Sequence, residues 1–109
     1  MVNVMSTKQF DVFANPDPAS VKTHPYLIVL QSDQLSRLNT RVVAPLVSPK
    51  SIPFFERLTP GLDVNGDHFV IDPTNIGAVP ERVLKKRVAN LESERYRILA
   101  AVDMVFVGV

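Results

Sequence analysis

His24 and His68 are the side chains in this sequence best suited to moving a proton or holding a metal near neutral pH. Neither has the companions such chemistry needs, since no second histidine stands at i+4 and the chain contains no cysteine. Both read as surface or turn residues. Ser32 and Asp33, in QSDQ, set a hydroxyl beside a carboxylate, but the Gly-x-Ser-x-Gly elbow that exposes a nucleophilic serine is missing. A turn whose side chains bond their own backbone accounts for them. Asp63, Asp67 and Asp72 flank or occupy LDVNGDHFVID, where a calcium loop would need acids at alternate positions and a distal glutamate; the pattern is incomplete. LKKR, residues 84–87, reads as a solvated strand face, and the scattered glycines form no phosphate-cradling loop. No catalytic residue, metal site or cofactor is expected, which turns attention to binding.

The bulk properties narrow what could be bound. A length of 109 residues suits one domain, with residues 1–8 expected as a loosely ordered extension because the regular pattern begins at Gln9. Met5 offers a second start to translation. An apolar fraction of 46% and a charged fraction of 21% are those of a globular chain. A net charge of +1 provides no basic footprint for nucleic acid, so any DNA role requires a partner that supplies charge. The missing cysteines fit a reducing cytoplasm, and no leader-like or bilayer-length apolar run is present, so a cytoplasmic protein without membrane attachment is expected.

The elements that must carry a binding surface follow from periodicity. QFDVF, residues 9–13, alternates as a strand and ends at the two prolines of ANPDPAS. PYLIVLQSD contains a continuous apolar run, Leu27 to Leu30, which predicts a central strand buried on both faces. RVVAPLV, residues 41–47, is a strand in which Pro45 cannot donate to a ladder, predicting an edge or a bulge. SPKSIPFFERLTPG is an ordered loop anchored by Ile52, Phe54 and Phe55. Asn65-Gly66, between alternating segments, is the strongest hairpin signal, since both residue types tolerate positive φ. Short strands are expected near residues 77–79 and 82–88, separated by Pro80.

The period then changes. From Asn90, a candidate N-cap, residues Leu91, Arg95, Ile98, Leu99, Val102, Val105 and Phe106 recur at helical spacing, with Glu92 and Glu94 in the first turn. The chain closes on VDMVFVGV. Val102, Val105 and Phe106 are expected to continue the stripe, facing the barrel core or a dimer partner, with Gly108 as a left-handed cap. Val107, Gly108 and Val109 lie past the stripe, where apolar side chains held at a surface read as a protein contact.

In the order of these features the chain resembles the CcdB family of bacterial toxins. Three stretches carry the likeness: LIVLQSD followed by RVVAPLV; LTPGLDVNGDHFVIDPTNIGAVP; and the helix ending MVFVGV. The resemblance implies a mainly β fold, an SH3-like β-barrel with one C-terminal α-helix, acting as a homodimer. It implies a toxin that is not an enzyme, one that binds the A subunit of DNA gyrase and traps the cleaved DNA complex. It also implies a CcdA-like antitoxin, with operator DNA bound only together with that antitoxin. Carried over by position, the gyrase contacts are Leu35, Phe106, Val107, Gly108 and Val109. Val107 stands where the best-known member of the family has tryptophan, and Gln34 replaces an aliphatic residue.

Three other readings remain. One keeps the fold and antitoxin binding without gyrase poisoning; another is a dimeric module for an unnamed partner. The third is a MazF or Kid type of endoribonuclease, which would need a base, an acid and a cation gathered around a 2′-hydroxyl; the candidates are Asp, Arg and the two histidines, His24 and His68, with no motif that gathers them.

Overall fold

The computed structural model describes residues 7–53 and 59–108. Alternating and continuous apolar stretches form the strands β1 (Asp11–Ala14), β2 (Tyr26–Val29), β3 (Thr40–Val47), β4 (Gly61–Val64), β5 (Asp67–Ile71), β6 (Gly77–Pro80) and β7 (Arg87–Asn90), followed by one helix, α1 (Arg95–Phe106). The strands lie in the order β4-β5-β3-β2-β1-β7, all antiparallel, with β6 attached to β3. The sheet curls into a half-barrel. Its two ends approach each other where the Asn65 side chain donates to the Val88 carbonyl at 3.3 Å.

The expected central strand is β2. It pairs with β1 on one side and β3 on the other. Its apolar run is buried on both faces: Ile28 joins the main core with Val12, Leu46 and Ile71, while Val29 packs with Phe13, Val43 and Leu84 in a second cluster. The hairpin is also as expected, since Asn65 at φ 52° and Gly66 at φ 89° connect β4 to β5.

Pro45 is neither at an edge nor at a bulge. It lies inside β3, opposite Leu27. Its carbonyl accepts from the Asp72 amide at 2.9 Å, on the side away from β2. In an antiparallel strand a residue's N and O point to the same side, so the donor that proline lacks faces the place where β3 changes partner, from β6 at residues 40–43 to β5 at Leu46 and Val47. The Asp72–Pro45 bond is made without its reciprocal, which proline cannot donate, so the missing donor interrupts the β3–β5 pairing at its end and leaves the β2–β3 ladder untouched.

The segment after Pro80 also differs from expectation. Residues 81–83 form a 3-10 turn rather than the start of a strand, and β7 begins only at Arg87. Glu81 turns inward to a buried arginine, which an alternating strand in this place would not allow. Of the loop anchors, Phe54 and Phe55 lie outside the described residues, and Ile52 is half-buried.

Asn90 is not the N-cap of the helix: it closes β7, and its side-chain oxygen accepts from the Glu92 amide at 2.9 Å to turn the chain, while Leu91 and Glu94 occupy the cap positions of the 3-10 turn and of α1. A 3-10 turn over Glu92–Glu94 precedes α1. Within the helix Ile98 and Ala101 are fully buried. The apolar stripe then leaves the core: Val105 is 37% exposed and Phe106 is 72% exposed. Within the single chain Phe106 does not pack against the barrel, the first of the two neighbours expected for it. No helix among the described residues is long and apolar enough to cross a membrane.

Candidate partner-binding surface

Among the described residues, large apolar side chains stand in solvent singly at Tyr96, at the start of α1, and in groups at two further places. The first is the end of α1. Phe106 and Val107 are 72% and 66% exposed. The Val107 amide donates to the Asp103 carbonyl at 2.7 Å, completing the last turn. Gly108 follows at φ 77°, the left-handed conformation that ends helices, as expected. Val109 lies outside the described residues.

The second place is the connection from β2 to β3, residues 32–39, where Leu35 and Leu38 are each 51% exposed. Ser32 accepts from the Gln34 amide at 3.2 Å, and Asp33 accepts from the Gln9 amide at 2.8 Å, so this hydroxyl and carboxylate shape the loop as a turn reading implies. Beneath the loop lie two buried polar side chains, Gln31 and Arg41. Arg41 also forms an ion pair with Glu81 at 2.9 Å, and Glu81 accepts from the Thr7 hydroxyl at 3.1 Å. Thr7 belongs to the expected N-terminal extension and is itself buried; residues 1–6 lie outside the described residues.

Sequence reasoning singled out Leu35 and passed over Leu38, Gln31 and Arg41. One signal was present, because QLSRLN sets two leucines at i and i+3 in an otherwise polar connection. Nothing local marks Arg41 for burial, since its acceptors come from residues 7, 36, 38, 40 and 81. Among the described residues no hydrogen bond and no shared core cluster joins Leu35 to the helix end.

A charged cleft of about 470 Å³ lies between the first strand and the start of α1, lined by Lys8, Gln9, Asp11, Asp33, Arg87, Asn90, Glu92 and Arg95. Asp11 is almost wholly buried and accepts from the Lys8 amide at 2.8 Å and the Asn90 side chain at 2.9 Å, with Arg87 at 3.5 Å. Of these donors, Asn90 and Arg87 tie β1 to β7 through the Asp11 carboxylate. Arg95 stacks over the Phe10 ring, 5.5 Å from its centre.

Neither histidine lines this cleft. His24 Nδ1 is 2.7 Å from the Thr23 hydroxyl, and His68 Nδ1 is 2.9 Å from Asp63 across the β4–β5 hairpin. Gly61 leaves room for the His68 ring, which a Cβ would approach to 2.7 Å. Among the described residues no group of three or more His, Cys, Asp or Glu could hold a metal ion.

A family model described as "CcdB protein" matches residues 9–108. None of the curated proteins matches the chain at a significant level. Solved structures of similar shape include an endoribonuclease from a mycobacterial species, with a TM-score of 0.73 and 8% identity, covering 94% of this chain and 92% of the other. Another is an endoribonuclease in complex with its cognate antitoxin, also mycobacterial, with a TM-score of 0.69 and 8% identity, covering 92% of this chain and 94% of the other. At that identity the likeness is one of fold.

Proposed function

We propose, from the premise that the chain belongs to the CcdB family, that it is the toxin of a toxin–antitoxin pair and acts by binding rather than by catalysis. Its target in this reading is the A subunit of DNA gyrase, whose cleaved DNA complex it traps; a CcdA-like antitoxin neutralises it, and the working form is a cytoplasmic homodimer. The observation that carries the reading is the helix end, where Phe106 and Val107 stand 72% and 66% exposed beyond the core. An aromatic and an aliphatic side chain held in water on a rigid helix have lost their burial energy to the fold and regain it only against a partner. Leu35 forms the second part of the contact. The chain's net charge of +1 keeps operator DNA out of reach except in company with the antitoxin.

A pull-down with purified gyrase A subunit tests this reading. Full-length protein is expected to retain the subunit, and protein lacking residues 107–109 is expected to lose it. Failure of the full-length protein to bind removes gyrase as the target, and antitoxin binding without growth arrest would then favour a homologue that keeps the fold alone.

The second reading, an endoribonuclease, draws on one observation in this chain: the cleft sets Asp33 and Glu92 beside Arg87 and Arg95, acids next to cations. The two mycobacterial structures are named as endoribonucleases, which gives it a precedent on the same fold. Neither of the candidate histidines, His24 and His68, lines the cleft. Cleavage of single-stranded RNA by nuclease-free protein, lost in Arg95→Met, would put this reading in place of the first.

A further inference from the structure

A loop with two leucines ordinarily folds them inward and leaves its peptide groups to water. Residues 32–39 do the reverse. Gln31, 7% exposed, donates to the carbonyls of Leu35 and Thr40 at 3.2 and 3.1 Å, and its own oxygen accepts from the Val42 amide at 3.1 Å. Arg41, 2% exposed, donates to the carbonyls of Ser36, Leu38 and Thr40 at 3.0, 2.6 and 2.9 Å. Its remaining donors go to the Thr7 hydroxyl at 2.6 Å and Glu81 at 2.9 Å. A guanidinium has five N–H groups, and all are used. The amides of Leu35, Ser36 and Leu38 are spent on consecutive turns.

We propose that Gln31 and Arg41 are positioning residues of the partner surface: they draw the loop's carbonyls inside, hold Leu35 and Leu38 outside, and so make Leu38 a second apolar contact beside Leu35. This rests on the gyrase reading above, of which the loop is already a part. The physical case lies in the asymmetry of the two sides. Burying two polar side chains is costly unless each is fully bonded, and here the bonding is complete on carbonyls that water could have satisfied. What this arrangement achieves is rigidity. A loop ordered before binding spends none of the contact energy on being ordered during it.

The effect is read in a binding cycle with full-length protein and gyrase A subunit. Leu38→Ala and Gln31→Met are each expected to weaken binding about tenfold, while far-UV circular dichroism shows both folded. A merely structural role for Gln31 would weaken binding by the same factor whatever the loop displays. A positioning role predicts that Gln31→Met costs nothing further once Leu35 and Leu38 are both alanine. Should Gln31→Met fail to fold, Arg41→Lys, which keeps the charge but lacks the five-donor fork, is measured in the same cycle. Wild-type binding that neither positioning variant weakens overturns the inference alone, as does an undiminished effect in the double-alanine background. Absence of wild-type binding overturns the gyrase reading and this inference with it.

Discussion

At the scale of single residues, the helix end and the buried arginine behave in opposite ways. Val107 is a side chain with two-thirds of its surface in water, so substitution there is expected to leave folding unchanged and, under the proposed function, to act on binding. Tryptophan in its place adds an aromatic face able to stack on a guanidinium; Val107→Trp is expected to tighten gyrase A binding about tenfold by calorimetry, with the melting temperature unchanged. Equal or weaker binding would show that position 107 is not at the contact. Glu81 is the reverse case. Arg41 has 3% side-chain exposure and Glu81 has 36%, and removing the carboxylate leaves a buried cation without its counter-charge. Glu81→Ala is expected to cost about 2 kcal/mol in urea unfolding, below the range for a wholly buried pair because water reaches one side of the carboxylate. Arg41 itself was invisible to sequence reading, because an arginine opening a strand looks solvated until residues 7 and 81 are brought to it.

At the scale of elements, the informative one is α1. Helical spacing identified it and Asn90 marked its approach, but periodicity alone cannot say where a stripe loses its partner surface. Ile98 is fully buried, and Phe106, two turns on, is largely exposed. Ile98→Ala is therefore expected to cost about 3 kcal/mol through transfer and cavity terms, whereas Phe106→Ala is expected to change stability by less than about 0.5 kcal/mol. Chemical denaturation of the two variants checks this directly. A large loss for Phe106→Ala would place that ring in an obligate interface between copies of the chain. Strand β3 holds a similar lesson: Pro45 predicted an edge by its missing donor, and the donor is missing only where β3 passes from one neighbour to another.

For the whole molecule, charge and shape set the expectations. The chain is extended along one axis, 46 Å against 29 and 24 Å, and carries a net charge of only +1. A balance so close to neutral offers little of the counterion release that drives phosphate binding. The chain alone is expected not to retard operator DNA in an electrophoretic assay near physiological salt, while the same DNA is retarded once antitoxin is added. Retardation by the chain alone would mean that Lys85, Lys86 and Arg87 are more than a solvated face.

What the sequence by itself determined is what neighbours in the chain can settle: the strand pattern, the Asn65-Gly66 hairpin, the C-terminal helix and, through their order, membership in a family. These depend on side-chain alternation, allowed φ and local hydrogen bonds, which act over a few residues. Only the tertiary structure decided which groups lose water. It buried Arg41 and Gln31 beneath a loop, turned Leu35 and Leu38 outward, ended the core before Phe106, and held Phe10 at φ 70° with its ring fully buried. Such outcomes depend on residues far apart in the chain meeting at one place. Burial is a property of that meeting, and no short stretch of sequence contains it.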